Sequence, residues 1–234
     1  MAATEANLRR ELIARALEMN RLGVNQGTSG NLSARVPGAM LITPTATPYD
    51  ELRPAMIARM KLDGGDAWTG PLKPSSEWRF HRDIYLARDD AGAIVHAHSI
   101  YATALSMLRE DLRATHYMIA AFGGPTVRCT DYAPYGTPEL SSLAVEGLRD
   151  RTGVLLGSHG MIVTGANLAQ ALWRAVELET LCKQTWIATR AGPPAILPDD
   201  EIARIVERFR GYGAAATEAP VAKKRTPGSV RQKK

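Results

Sequence analysis

The sequence predicts an α/β protein in three layers, α/β/α, around a central mixed sheet. Three observations point to it. Stretches with apolar residues at helical spacing alternate with short apolar runs of strand length. Two of the strand-like runs, 31–36 and 39–43, follow one another with no helix between them, which implies antiparallel pairing and excludes a purely parallel barrel. The 234 residues, 45% of them hydrophobic, suffice for one large core.

Residues 4–22 read as an amphipathic helix. Thr4 is placed to cap it, Glu5 suits its positive end, Leu8, Leu12, Ala16 and Met19 form the stripe, and Gly23 ends it. A loop, Gly27-Thr28-Ser29-Gly30-Asn31, leads into the strand 31–36, whose Leu32, Ala34 and Val36 share a face. Residues 39–43 and 56–61 read as further strands. A helix is expected from Ser76 to about Arg88. The strand 93–98 follows, then a helix capped by Ser99 to about Leu108. After a strand near 126–129, Thr137-Pro138-Glu139 supplies a cap, a first-turn proline and a first-turn acid for a helix to about Arg149. The strand 153–157 ends just before His159. A long helix over 167–190 carries Leu168, Leu172, Val176 and Leu181 inward, and Asp199 is read as the cap of a last helix to about Arg210.

The net charge of +5 is concentrated at one end. Residues 213–234 hold six basic side chains and one acid, so residues 1–212 carry 23 of each sign. The body has no basic surplus for nucleic acid. The chain divides into a domain over 1–212 and a basic tail over 213–234, read as disordered from its Ala, Pro, Gly and Ser content. No apolar run approaches the roughly 20 residues of a membrane span, and Arg9, Arg10, Glu11 and Arg15 argue against a cleaved signal. Cys129 and Cys182 read as reduced core residues, which suits a cytoplasmic protein.

The chemistry concentrates around His96-Ala97-His98. Two histidines at i and i+2 on a strand point to one face. Burying two imidazoles side by side is costly unless a cation organises them. His159, after the apolar run Val154-Leu155-Leu156, offers a third nitrogen, and Gly160 lets the backbone pass close. Three neutral nitrogens suit Zn2+, with Co2+ or Mn2+ as alternatives. Glu77 is read as a general acid/base and as a fourth ligand that substrate displaces, against the plainer reading of an acid at a helix N-terminus. His81, a turn further along, reads as structural, and His116 is not needed as a ligand.

A second constellation is hydroxyl-rich. The glycine loop before residue 31 lacks the Lys-Ser/Thr ending of a P-loop and by itself is a turn. With Thr43-Pro44-Thr45-Ala46, and with Ser75 and Ser76 at a helix start, it supplies amides and hydroxyls suited to a phosphate beside Glu77.

These residues resemble the class II aldolase/adducin family. The resemblance runs from about residue 8 to 213, through NQGTSGNLS (25–33), MLITPTATPY (40–49), PSSEWRFH (74–81), VHAH (95–98), HYMIAA (116–121), YGTPEL (135–140), His159-Gly160 and FRGYG (209–213). It implies a class II aldolase/adducin-like fold assembled as a homotetramer, with active sites at subunit interfaces. It implies zinc on His96, His98 and His159, Glu77 as acid/base, and phosphate contacts from Gly30, Asn31, Thr45, Ser75 and Ser76, with Ala46 in the same loop. Tyr117 matches a tyrosine contributed by a neighbouring subunit as proton donor or acceptor. Tyr212, with Phe209, matches a C-terminal aromatic cluster closing over the aldehyde end.

Two positions depart from the fuculose-cleaving branch. Ala46 replaces a glycine, which a negative φ would accommodate. Tyr135 replaces a phenylalanine in the aldehyde pocket. The implied activity is reversible cleavage of a ketose 1-phosphate of the L-fuculose, 5-deoxyribulose or 5-methylthioribulose type to dihydroxyacetone phosphate and a short aldehyde. Alternatives on the same scaffold are a pentulose-phosphate 4-epimerase, a sugar-acid phosphate decarboxylase, a methylthioribulose-phosphate dehydratase and a non-catalytic adducin-like module.

Overall fold

A computed structural model describes residues 4–212, with the backbone alone for 210–212. The basic stretch 213–234 lies outside the described residues. Six helices, α1 (Glu5–Arg21), α2 (Trp78–Ala87), α3 (Ile100–Ser106), α4 (Pro138–Gly147), α5 (Leu168–Ala191) and α6 (Asp199–Tyr212), surround one sheet. Its strands are β1 (Asn31–Val36), β2 (Ala39–Ile42), β3 (Ala58–Lys61), β4 (Trp68–Thr69), β5 (Ala93–Ala97), β6 (Leu112–Arg113), β7 (Thr126–Cys129), β8 (Gly153–Leu156) and β9 (Gly160–Gly165). The order is β4-β3-β2-β1-β5-β9-β8-β7-β6, and only β7 and β8 run parallel.

The three layers follow from strand alternation. On one face Leu32, Ala34, Val36, Val95 and Val163 pack against Leu12, Ala16 and Met19 of α1, the inner stripe of α5 and Ile202 of α6. On the other, Met40, Ile42, Ile94, Val154 and Ile162 pack against Phe80, Ile84 and Tyr85 of α2 and Leu140 and Ala144 of α4. Among the described residues no helix is long and apolar enough to cross a membrane. Cys129 and Cys182 are free thiols.

Caps at Thr4, Thr137 and Asn167 each accept a backbone N–H of their own first turn. Other boundaries differ from the sequence reading. Ser99 sits at the cap position of α3 but caps nothing. Glu179 of α5 does so instead, accepting the N–H of Tyr101 at 2.9 Å and of Ala102 at 2.8 Å. Asp199 is the first helical residue of α6, and the carbonyl of Pro198 accepts from Ile202. Helix α2 begins at Trp78, because Ser75-Ser76-Glu77 form a turn in which the Ser75 carbonyl accepts from the Trp78 N–H. Strands β4, β6 and β9 and the 3-10 segment Tyr117–Phe122 have no counterpart in the sequence reading. The first two are two-residue strands, and β9 lies one tight turn after β8.

Candidate active site

The site lies where three chain segments end together. Strand β5 stops at Ala97, β1 begins at Asn31 opposite His96, and the β8–β9 turn carries His159. His159 stands one residue before β9, the strand that pairs with β5. Strand β9 separates β8 from β5, and the turn brings His159 back over the strand end. That turn is tight: the Leu156 carbonyl accepts the His159 N–H at 3.0 Å, with Ser158 at φ +55°. Gly160 is obligatory beside it, since a Cβ there would lie 2.5 Å from the Ala97 carbonyl oxygen and 3.0 Å from the His98 ring.

His96, His98, His159 and Glu77 each offer one atom to a group whose members all lie within 4.8 Å of one another. Glu77 Oε2 is 3.1 Å from His96 Nε2, and Oε1 is 3.1 Å from His159 Nε2. His96 Nε2 stands 2.9 Å from His98 Nε2. His96 Nδ1 lies 2.9 Å from the Met161 carbonyl oxygen, which turns its Nε2 inward toward Glu77 and His98. Glu77 Oε1 is buried with no hydrogen-bond partner. Inward-facing imidazole nitrogens, a buried carboxylate and an unsatisfied oxygen form a donor set that suits a divalent cation. Burial alone would push the Glu77 carboxyl up, but the His96 and His159 imidazoles outweigh it and hold it well below the usual carboxylate range. Burial, with His96 and His159 nearby, lowers His98 to about 4, so the imidazole is neutral at pH 7.

Behind Glu77 lies a polar layer. Asn31 Nδ2 donates to Glu77 Oε2 at 3.0 Å, and Asn31 Oδ1 faces His81 Nε2. His81 Nδ1 is 2.7 Å from Ser33 Oγ, which is 2.8 Å from the Tyr85 hydroxyl. His81 is fully buried, and burial pushes it down to about 3.

In front is an open cleft of ≈ 400 Å³ whose walls include Ser29, Ser76, Glu77, His98, Tyr132, Tyr135, Ser158 and His159. Ser29, Tyr132 and Ser158 were not among the residues singled out from the sequence. Ser29 belongs to the quoted glycine loop, whereas Tyr132 and Ser158 carried no motif. The hydroxyl-rich segments do meet. Thr45 N–H donates to the Lys73 carbonyl at 3.1 Å and Ser75 N–H to the Thr43 carbonyl at 3.0 Å, zipping the two loops together. Ser75 is buried, its hydroxyl accepting the Glu77 N–H at 3.2 Å, while Ser76 is exposed on the cleft. Gly30 packs so closely that a Cβ would lie 2.5 Å from the His96 carbonyl oxygen. Ala46 has φ +49°, not the negative value that would accommodate its methyl without strain.

Tyr117 and Phe209 are not in the cleft wall of this chain. Tyr117 is half exposed at the start of the 3-10 segment, and Phe209 packs against the core from α6. Helix α6 packs on that same segment. Tyr212 is the last residue of α6, and its side chain lies outside the described residues.

A family model for the Class II Aldolase and Adducin N-terminal domain matches residues 10–186. A 5-methylthioribulose-1-phosphate/5-deoxyribulose-1-phosphate aldolase of Rhodospirillum rubrum is 44% identical over 213 residues, 91% of this chain and 96% of its own length. An L-fuculose phosphate aldolase of Escherichia coli K12 is 45% identical over 213 residues, 90% of this chain and 98% of its own. Among solved structures, an L-fuculose 1-phosphate aldolase superposes with TM-score 0.85 at 38% identity, covering 90% of this chain and 98% of that one.

Proposed function

The chain belongs to the class II aldolase and adducin N-terminal domain family, and we propose that it is a zinc-dependent aldolase that reversibly cleaves a ketose 1-phosphate to dihydroxyacetone phosphate and a short aldehyde. One observation carries the reading: a buried carboxylate and three imidazoles converge within 4.8 Å at an open cleft lined by hydroxyls. An intact set of this kind argues against a non-catalytic scaffold. His96, His98 and His159 hold the metal, with Glu77 as the displaceable fourth ligand and Co2+ or Mn2+ as substitutes. The metal supplies Lewis-acid stabilisation of negative charge beside the carbonyl carbon.

The phosphate is held by Gly30, Thr45, Ala46, Ser75 and Ser76, the 43–45 and 73–75 loops being hydrogen-bonded to each other. In condensation Glu77 removes the proton from the carbon next to the carbonyl. The electron pair left there attacks the aldehyde carbon, and Tyr117 protonates the aldehyde oxygen. Cleavage is the reverse. Tyr117, exposed and outside its own cleft, serves a neighbouring copy of a homotetramer. Phe209 and Tyr212 accompany it on α6, while Tyr135, 71% exposed on the cleft wall, meets the aldehyde end. A cytoplasmic site of action suits the free thiols.

The test incubates the zinc-loaded protein with L-fuculose, 5-deoxyribulose and 5-methylthioribulose 1-phosphates and couples dihydroxyacetone phosphate release to NADH oxidation. Turnover of at least one is expected, lost on chelation and restored by zinc. Glu77→Gln should lower kcat on the order of 10²–10⁴-fold. Release from none of the three, or near-normal turnover by Glu77→Gln with metal bound, overturns the reading.

A further inference from the structure

We propose that Tyr85, Ser33, His81 and Asn31 form a single directed hydrogen-bond chain whose function is to hold the Glu77 carboxylate, making all four positioning residues for the reaction. The proposal rests on the aldolase reading above for what Glu77 does. Its geometry stands independently. Glu77, the N-cap of α2, and His81 and Tyr85 within it recur at i, i+4 and i+8. Asn31 and Ser33, at i and i+2, lie on one face of β1. The helix stripe and the strand pair interlock alternately. All five side chains are buried, with exposures between 0% and 5%.

One fixed end sets every proton in the chain. A carboxylate only accepts, so Asn31 must turn its amide nitrogen to Glu77 and its oxygen to His81. His81 then carries its proton on Nε2 and, being neutral, accepts at Nδ1. Ser33 must donate to that nitrogen, and its oxygen accepts from the Tyr85 hydroxyl. Every donor along the chain is therefore aimed toward Glu77. Aligned bonds in a buried site polarise one another.

The consequence is an asymmetric carboxylate. Oε2 is anchored by the Asn31 amide as well as facing His96 Nε2 at 3.1 Å, while Oε1 faces only His159 Nε2, at 3.1 Å. The chain thus leaves Oε1 the less constrained of the two oxygens. The Asn31 side chain is engaged at both ends, by Glu77 and by His81.

The experiment uses the full-length zinc-loaded protein and the variants Tyr85→Phe, Ser33→Ala, His81→Phe and Asn31→Ala. Three quantities are measured: zinc affinity by chelator competition without substrate, kcat and KM, and melting temperature. Ser33→Ala and His81→Phe are expected to weaken zinc binding and lower kcat on the order of tenfold, with KM within about twofold. Tyr85→Phe should do the same more weakly and Asn31→Ala more strongly, with KM again kept. Variants that melt lower yet keep wild-type zinc affinity and kcat would show a merely structural polar core. A raised KM with unchanged kcat in Asn31→Ala would show a phosphate contact instead. If His81→Phe does not fold, Ser33→Ala and Tyr85→Phe decide. If the wild type turns over no ketose phosphate, the aldolase reading fails, while the zinc affinities still test the chain.

Discussion

Ala46 shows how one methyl group bears on the candidate phosphate loop. Its φ of +49° puts an L-residue in the left-handed region, at a cost of about 1–2 kcal/mol. It is exposed, so burial of the methyl offsets little of this. Glycine relieves the strain but gains roughly 0.4–1 kcal/mol of freedom in the unfolded chain. Ala46→Gly should therefore stabilise by roughly 0.5–1 kcal/mol, seen as a higher urea midpoint at unchanged slope. A lower midpoint would mean that the loop depends on the methyl. Of the site residues, the histidine pair was legible because strand geometry alone puts i and i+2 on one face. The engagement of Asn31 with Glu77 was not, because the two are 46 positions apart in sequence.

The β8–β9 hairpin is the element on which the metal set depends. It turns within three residues, with Ser158 at φ +55°, and delivers His159 to the end of β5. Gly160 is where the hairpin touches that strand, with 2.5 Å left between an added Cβ and the Ala97 carbonyl oxygen. Gly160→Ala should push β9 off β5 and carry His159 with it. The expected result is zinc affinity weaker by tenfold or more together with a lower melting temperature. A variant that is destabilised but binds zinc normally would show that the hairpin absorbs the shift without moving His159. The sequence reading ended this region at residue 157. Six further residues of apolar strand, Gly160–Gly165, directly after a turn do not distinguish themselves from the start of a loop. Their position between β8 and β5 is a property of the sheet.

At the scale of the whole molecule, the cleft of one chain has Glu77, His98 and His159 of the candidate metal set and its hydroxyl wall, but not Tyr117 or Phe209. The proposed homotetramer supplies them from a neighbour. Mixing Glu77→Gln subunits with Tyr117→Phe subunits, each nearly inactive, should restore turnover, because about a quarter of randomly assembled sites would pair two intact residues. Light scattering of the same sample should give four copies. A mixture no more active than its components would place Tyr117 in its own chain's site or outside catalysis. The three-layer architecture was readable in advance because each helix and most strands announce a buried face by period. The cap supplied to α3 by Glu179, and the order of strands around β5, were not.

The sequence by itself determined the kinds of element, the alternation that buries His96 and sends Leu32 to the other face, and the inventory of ligands and hydroxyls. These are local matters, set by side-chain periodicity and chemistry over a few residues. Only the tertiary structure decided which of them meet. It placed His159 over the end of β5 through a strand that intervenes, and gave Ala46 its left-handed backbone. It also interlocked one face of α2 with one face of β1, so that His81, read from the sequence as structural, comes to stand behind Glu77. The reason is physical. A buried polar group needs a partner wherever the chain brings one, and such partners are fixed by packing across the sheet rather than by neighbours in sequence.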